Sequence, residues 1–209
     1  MMHCNVWHNI CHSHHVNYHN NSMRANIRIN ELTRVVIVGA GLGGLQLAMH
    51  LRKAGFQVVI VDKNNYNQFP PLIYQVASAG LEPSSISFPL RRIFQGYKNY
   101  FFRMAEVREI DVKEKAIRTS VGTIHYNYLV LAMGATTNFF GNEDVERHAL
   151  PMKTVEDAMA LRNHVLLALE RAETEENAKK RQKFMNFVIV GGGPSGVEIA
   201  GALAEMKKG

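Results

Sequence analysis

The sequence has little cysteine and no long hydrophobic run. Its two cysteines, Cys4 and Cys11, both lie within residues 1–22 of a 209-residue chain. A disulfide framework or a cysteine redox pair in the rest of the chain is therefore excluded, and the sparse cysteine predicts a reducing compartment. No stretch approaches the roughly 18 consecutive apolar residues of a membrane-spanning helix. We expect any membrane contact to be peripheral.

The sequence also has no large excess of charge of one sign. The chain has 24 basic and 18 acidic residues, a formal net charge of +6, without a long basic block. This distribution argues against nucleic acid as a partner, and none is predicted. With 46% apolar residues the chain can bury a core. Residues 173–183, seven of eleven charged, are expected to form a solvated linker or helix end.

Residues 1–22 lack the periodicity of a helix or a strand. They hold six of the ten histidines, and no apolar signal-peptide region follows the start. We predict a disordered head over residues 1–30. A metal could be ligated by Cys4, Cys11, His12, His14 and His15. Their spacing matches no standard zinc pattern, and biased composition is the commoner explanation, so no metal site is predicted.

Residues 35–62 have the pattern of one βαβ unit. The apolar run 35–38 is typical of a strand buried on both faces of a parallel sheet. Apolar residues at helical spacing follow, and Gly55 is placed to end the helix in a left-handed turn. A second apolar run, 58–61, ends at Asp62. The order strand, helix, strand predicts a parallel sheet.

A glycine motif, Gly39-x-Gly41-x-x-Gly44, connects the first strand to the helix. In such a motif the first glycine permits a tight turn, the second lets the backbone approach a pyrophosphate, and the third lets the helix pack close to the strand. The helix N-terminus adds N–H donors and a favourable dipole. Asp62 is placed to accept hydrogen bonds from an unphosphorylated ribose. We favour a dinucleotide site over a turn that merely closes the βα unit.

The middle of the chain is less regular. Residues 64–99 are punctuated by proline and glycine, and residues 100–131 alternate in the manner of antiparallel strands. The last of these, residues 128–131, is fully apolar and is expected to rejoin the parallel sheet. Thr154 is the predicted N-cap of a helix that runs to about Arg171.

A second glycine motif, Gly191-x-Gly193-x-x-Gly196, follows a predicted buried strand over residues 187–190. Two dinucleotide sites in one chain suggest that one holds flavin adenine dinucleotide (FAD) and the other a nicotinamide that reduces it. Glu198 lies early in the following helix. It either touches the nicotinamide or is an acid stabilised by the helix dipole, and both interpretations stay open.

Four parts of the sequence together resemble the type II NADH:quinone oxidoreductases. They are the first glycine motif with Asp62, the segments 69–83 and 131–138, and residues 191–205, so that the resemblance spans about 32–209. The glycine motifs alone indicate only the wider flavoprotein superfamily with two dinucleotide-binding domains. The stretch Pro-Leu-Ile-Tyr-Gln-Val-Ala at 71–77 narrows the resemblance from this superfamily to the type II enzymes.

The resemblance implies an α/β fold. A Rossmann-type FAD-binding domain with a parallel sheet and an antiparallel β insertion is expected over residues 31–150. The truncated start of a second Rossmann domain, which binds NAD(P)H, is expected over residues 151–209. Members of the family are about twice as long as this chain. We therefore expect later segments to complete the flavin site and to dock on a membrane surface.

The resemblance also assigns residues to the cofactors. The candidate catalytic residues are Gln75, beside the flavin ring, and Glu198. The implied FAD contacts are Gly39, Gly41, Leu42, Gly43, Gly44, Asp62, Lys63, Pro71, Gln75, Val107, Ala132 and Gly134. The implied NADH contacts are Gly191, Gly193, Pro194, Ser195, Gly196 and Glu198. Gln75 and Val107 also have plain structural interpretations, as a polar loop residue and a strand core residue.

The implied activity is hydride transfer from NADH to FAD, followed by passage of electrons to a membrane quinone without proton pumping. The cofactor carries this chemistry. The implied location is peripheral, on the cytoplasmic side of the inner or plasma membrane, with this chain itself soluble and a homodimer left open. We expect this chain alone to have little or no NADH:quinone activity.

Two alternatives remain at this point. Another reductase of the superfamily, of the ferredoxin or rubredoxin reductase kind, would prefer a protein acceptor over a quinone. An inactive dinucleotide-binding module would bind dinucleotide weakly, and NADH would not reduce its flavin.

Overall fold

The computed structural model describes residues 25–206, which form nine strands and seven α-helices. The strands are β1 Arg34–Val38, β2 Gln57–Asp62, β3 Tyr66–Gln68, β4 Ser87–Pro89, β5 Tyr100–Met104, β6 Val107–Asp111, β7 Ala116–Thr119, β8 Gly122–His125 and β9 Tyr128–Leu131. The helices are α1 Leu42–His50, α2 Ile73–Ala77, α3 Leu90–Ile93, α4 Glu143–His148, α5 Val155–Thr174, α6 Ala178–Phe184 and α7 Pro194–Met206. Short 3₁₀ turns span Leu51–Lys53, Pro70–Leu72 and Pro83–Ser85.

A four-stranded parallel sheet in the order β5-β2-β1-β9 forms the centre of the fold. The central residues of its two inner strands, 35–38 and 58–61, are all apolar because both faces of the sheet are covered. Ile37 and Ile60 face a cluster that includes Ala48 of α1 and Leu90 of α3. The opposite face packs against the antiparallel sheet β6-β7-β8. The predicted βαβ unit, the return of β9 and the α/β class are confirmed.

The partner of β5 differs from the sequence prediction. Residues 100–104 were expected to be antiparallel, but β5 pairs with β2 in parallel, with Val58 opposite Tyr100. The antiparallel part is restricted to β6, β7 and β8. An edge strand of a parallel sheet with one well-covered face has the same period-two pattern as an antiparallel strand. In β5 only Phe102 is buried, so the pattern alone could not separate the two.

The strand predicted at residues 187–190 does not form. Val188 is 89% exposed and Val190 74%, and no described strand pairs with this segment. A strand of a parallel sheet needs hydrogen-bonded neighbours and cover on both faces, and apolar sequence alone supplies neither. The prediction of a buried strand is therefore wrong for this structure.

The helix predicted from the N-cap Thr154 is confirmed, and it extends to Thr174. Helices α2, α5 and α7 share one apolar cluster, in which Val76, Ala158 and Ile199 are buried. All but the last residue of helix α6 lies within the segment expected to be solvated, and residues 178–183 of this helix are exposed. No helix in the described part of the chain is long and apolar enough to cross a bilayer.

Residues 25–30 correct the predicted extent of the disordered head. They have no regular secondary structure, but Ala25 is buried. The Arg103 guanidinium donates to the carbonyl oxygens of Ala25 and Asn26, and the Gln57 amide donates to that of Arg28 at 2.7 Å. These bonds hold the segment against the parallel sheet. The metal candidates Cys4, Cys11, His12, His14 and His15 lie outside the described residues.

Candidate dinucleotide site

The first glycine turn is packed so closely that two of its glycines admit no side chain. Gly39 has φ +99°, and a Cβ on it would overlap the carbonyl oxygen of Ala132. A Cβ on Gly44 would overlap the carbonyl oxygen of Gly39. The Gly39 N–H donates to the Val61 carbonyl oxygen at 2.8 Å, which ties the turn to β2. The predicted tight turn and close packing of helix on strand are therefore present.

The other side of the same turn is open. A Cβ built on Gly41 or Gly43 would meet no atom within 4 Å. Gly41 is the N-cap of α1, whose first turn carries no acidic residue. Open space above glycines at a helix N-terminus, with no carboxylate nearby in the first turn, suits an anionic group. The residues present therefore fit the diphosphate of a dinucleotide.

Asp62 stands at the end of β2 and braces the turn. One carboxylate oxygen accepts a hydrogen bond from the Ala40 N–H at 2.6 Å, and the other accepts one from the Asn64 N–H at 2.8 Å. Each carboxylate oxygen has room for a second hydrogen bond. The side chain therefore holds the loop and keeps capacity for a ribose hydroxyl. Its neighbour Lys63 is exposed.

Asn67 is a residue of this site that the sequence did not predict. This residue lies in the middle of β3, is 6% exposed, and donates from its amide nitrogen to the Ala40 carbonyl oxygen at 2.6 Å. Ala40, itself 1% exposed, is thus held at its N–H by Asp62 and at its carbonyl by Asn67. The signal for this role was weak: Asn67 is a polar residue at the central position of a three-residue strand, where the alternation of side chains turns it inward.

The segment after β3 carries two more expected cofactor contacts. Pro71 is exposed in the 3₁₀ turn that leads into α2. Gln75 is half-buried, and its amide donates to the Tyr74 hydroxyl at 3.0 Å. The Gln75 carbonyl oxygen accepts from Gly80 and Leu81 and so closes the end of α2.

Two further groups of expected contacts follow β9 and open β6, and of these two strands only β9 ends beside the first glycine turn. The Ala132 N–H donates to the Val38 carbonyl oxygen at 2.7 Å, which brings the end of β9 beside Gly39. Gly134 follows with φ +72° and is exposed. Val107 opens β6 at an irregularity in register and packs half-buried against the core below the antiparallel sheet.

The second glycine turn repeats the geometry of the first. Gly191 has φ +116°, and a Cβ on Gly196 would overlap the Gly191 carbonyl oxygen. The Val197 N–H donates to the Gly193 carbonyl oxygen at 3.1 Å, the counterpart of the bond from Leu45 to Gly41 at 2.9 Å. The remaining expected contacts of this turn are exposed: Pro194, Ser195 and Glu198. The two turns differ in their packing. Gly39 of the first turn packs against Ala132 after β9, whereas no described strand lies beside Gly191.

Strand β3 also holds the start of α5. The Gln68 side chain accepts from the Val155 N–H at 3.0 Å, and the Tyr66 hydroxyl donates to the Glu156 carboxylate. Burial and the nearby Glu156 raise the pKa of Tyr66. The hydrogen bond from Tyr66 lowers the pKa of Glu156. The members of this pair are 90 residues apart, and no sequence pattern connects them.

Two glycine turns of one geometry, the first seated at the end of a parallel sheet, define a dinucleotide-binding α/β protein. The sequence pattern of the pyridine nucleotide-disulphide oxidoreductase family matches residues 33–209. The chain belongs to this family. In the described residues no group of three or more His, Cys, Asp or Glu side chains could hold a metal ion.

Within this family the chain is similar to type II NADH:quinone oxidoreductases. It is 37% identical over 177 residues to the enzyme NdhA of Mycobacterium tuberculosis and 34% identical to Ndh of the same organism. Each alignment covers 83% of this chain and 38% of the relative. The chain therefore spans about two fifths of the length of these relatives.

Solved structures agree with the sequence comparison. NDH2 from Plasmodium falciparum in complex with NADH matches with a TM-score of 0.76 at 26% identity, over 84% of this chain and 37% of that one. NADH:rubredoxin oxidoreductase from Clostridium acetobutylicum matches with a TM-score of 0.65 at 18% identity, over 83% of this chain and 42% of that one. The second match shows a shared fold alone.

Proposed function

We propose that this chain binds FAD at its first glycine turn and NADH at its second, as part of an NADH:quinone oxidoreductase that does not pump protons. Residues 31–150 would form the FAD-binding part and residues 151–209 the beginning of the NAD(P)H-binding part. The observation that carries the proposal is the extent of the similarity to type II enzymes. The alignment to NdhA covers 83% of this chain, and the pattern of the wider family covers both glycine turns and the whole segment between them.

The FAD half of the proposal rests on the open side of the first turn. Gly41, Leu42 and Gly43 would offer backbone N–H groups to the diphosphate, while Gly39 and Gly44 keep α1 against the sheet. Asp62 would accept from the ribose, with Lys63 beside the adenosine. FAD, when bound, supplies the ring that accepts a hydride and passes electrons on.

The flavin ring would lie along the segment that begins at Pro71. Gln75 is the polar side chain proposed nearest to it, with Val107, Ala132 and Gly134 as contacts along the rest of the cofactor. Gln75 is held in place by the end of α2, because its own carbonyl oxygen accepts two backbone hydrogen bonds there.

NADH would bind at the N-terminus of α7 through Gly191, Gly193, Pro194, Ser195 and Gly196. Glu198 is exposed within the first turns of α7, where it could meet the nicotinamide end of the dinucleotide. The next residue, Ile199, is buried in the cluster shared with α2. The helix of the second turn therefore packs directly on the helix that carries Gln75.

Quinone, a membrane surface and a second copy of the chain complete the proposal as partners. The protein would act peripherally on the cytoplasmic side of the inner or plasma membrane. Sedimentation with lipid vesicles tests the membrane contact, and size-exclusion chromatography with light scattering tests the dimer.

The test of function is anaerobic reduction of bound flavin. The purified chain is loaded with FAD, binding is followed by the change in flavin fluorescence, and NADH is then added while the flavin absorbance is recorded. Bleaching by NADH in a single turnover, which does not require steady NADH:quinone activity of this chain alone, supports the proposal. Reoxidation by a quinone in preference to rubredoxin or ferredoxin selects the type II activity over a carrier-protein reductase. Dinucleotide binding without bleaching would support an inactive binding module instead.

A matched variant separates the two sites in this assay. In Gly196→Ala the new Cβ overlaps the Gly191 carbonyl oxygen, so the second turn is disturbed and the first is left intact. We expect Gly196→Ala to bind FAD like the unmodified chain and to lose reduction by NADH. Unchanged reduction in this variant would contradict the assignment of NADH to the second turn.

A further inference from the structure

We propose that Asn67 is a positioning residue that aims the Gly41 N–H at the diphosphate of the bound dinucleotide. The inference rests on the function proposed above and adds a residue outside the glycine motif. Asn67 is 6% exposed, and its amide nitrogen lies 2.6 Å from the Ala40 carbonyl oxygen. Because a carbonyl oxygen only accepts, the amide NH₂ must face it.

The peptide between residues 40 and 41 transmits the effect. In a trans peptide the C=O and N–H point in opposite directions from one rigid plane, and the described residues contain no cis peptide bond. Asn67 draws the Ala40 carbonyl toward β3, so the Gly41 N–H of the same peptide points away from β3. A Cβ built on Gly41 would meet no atom within 4 Å, so a ligand can approach this residue.

Asp62 and Asn67 hold different peptide groups of Ala40. Asp62 holds the Ala40 N–H at 2.6 Å, which fixes the peptide before this residue, while Asn67 fixes the peptide after it. Ala40 is 1% exposed, so its carbonyl, in its present orientation, has no bulk water to replace Asn67 when that residue is lost. A buried carbonyl without a partner is unfavourable, and rotation of the 40–41 peptide would relieve it. That rotation would turn the Gly41 N–H away from the ligand.

The test compares variants of two buried amides in the full chain. Asn67→Leu removes the amide, and Asn67→Asp keeps its volume while removing the donor. The control is Gln57→Leu, which removes an amide at the other end of β2 that is 0% exposed and bonded to the Arg28 carbonyl. Affinities for FAD and for ADP are measured by titration. The Gly41 amide signal is followed by NMR on glycine-labelled protein as ADP is added.

We expect both Asn67 variants to bind FAD and ADP about tenfold more weakly or worse. Their Gly41 amide signal should shift less at saturating ADP than that of the unmodified chain. Gln57→Leu should lower thermal stability and leave both affinities and the Gly41 shift unchanged. Normal binding with a normal Gly41 shift in either folded Asn67 variant overturns this inference and leaves the proposed function standing. Failure of the unmodified chain to bind FAD and ADP overturns the proposed function and the role of Asn67 with it.

Discussion

Glycine meets two different requirements within the first turn. At Gly44 the requirement is internal, because any side chain would collide with the Gly39 carbonyl oxygen. At Gly41 the chain itself imposes none, since its φ of −69° suits any residue and the space beside it is open. The need for glycine at Gly41 therefore comes from a ligand that approaches the backbone closely.

Alanine substitutions separate these two requirements. We expect Gly44→Ala to lower the free energy of unfolding by about 1–3 kcal/mol, as overpacking does, and to weaken FAD binding. Gly41→Ala should change the free energy of unfolding by less than about 0.5 kcal/mol and still weaken FAD binding, because its methyl group fills the ligand space. Denaturant unfolding followed by circular dichroism and FAD titration measure the two effects.

A third glycine provides the control for this pair. Gly55 has φ +72° and open space around it, beyond the far end of α1. Gly55→Ala should cost about 1 kcal/mol of backbone strain without altering FAD binding. The interpretation of Gly41 would be wrong if Gly41→Ala destabilised the chain as much as Gly44→Ala.

Strand β3 is the element that joins the two halves of the described structure. Alternate side chains of this three-residue strand point in opposite directions. Asn67 holds the first glycine turn, whereas Tyr66 and Gln68 hold the first residues of α5. Helix α5 in turn packs in the cluster that contains Ile199 of α7. Through these contacts β3 connects the first glycine turn to the helices that carry the second.

The Tyr66–Glu156 pair gives this element a pH dependence. The pKa of Glu156 is lowered in the folded chain, chiefly by the hydrogen bond from Tyr66. Stability from this pair is therefore present above the ordinary carboxyl pKa of 4.5 and is lost as the pH falls through the lowered value. We expect Tyr66→Phe to be less stable than the unmodified chain at neutral pH, with the difference shrinking in acid. Denaturation midpoints measured across pH check this.

Tyr128→Phe is the control, since Tyr128 is 62% exposed at the sheet edge. Its stability should follow that of the unmodified chain at every pH. A Tyr66→Phe deficit that stayed constant into acid would show that Tyr66 acts through packing and not through the ionised Glu156.

Across the whole molecule, burial is uneven between the two glycine turns. The first turn follows β1, whose Val36 and Ile37 are fully buried, while the second follows an exposed apolar segment at 187–190. Apolar residues that are this exposed favour association with other apolar surfaces. We expect this segment to dominate the association of the chain with itself.

Lysine substitutions test the exposure of this segment. The double variant Val188→Lys/Val190→Lys should leave the Tm unchanged, since both side chains reach solvent, and should reduce aggregation measured by light scattering. Val59→Lys, at a position with 0% exposure in β2, should fail to fold. A large fall in Tm for the double variant would mean that residues 187–190 are buried as a strand after all.

The sequence by itself determined the features that depend on neighbours along the chain. The apolar runs of β1 and β2, the spacing of both glycine turns and the Thr154 N-cap of α5 each follow from local geometry, and all were predicted at their positions. The tertiary structure decided which strand β5 pairs with, left residues 187–190 without partners, and brought Asn67 to Ala40 and Tyr66 to Glu156. Helix caps and turns are stabilised within a few residues, whereas strand pairing and buried hydrogen bonds join distant segments, whose contact depends on how the whole chain packs.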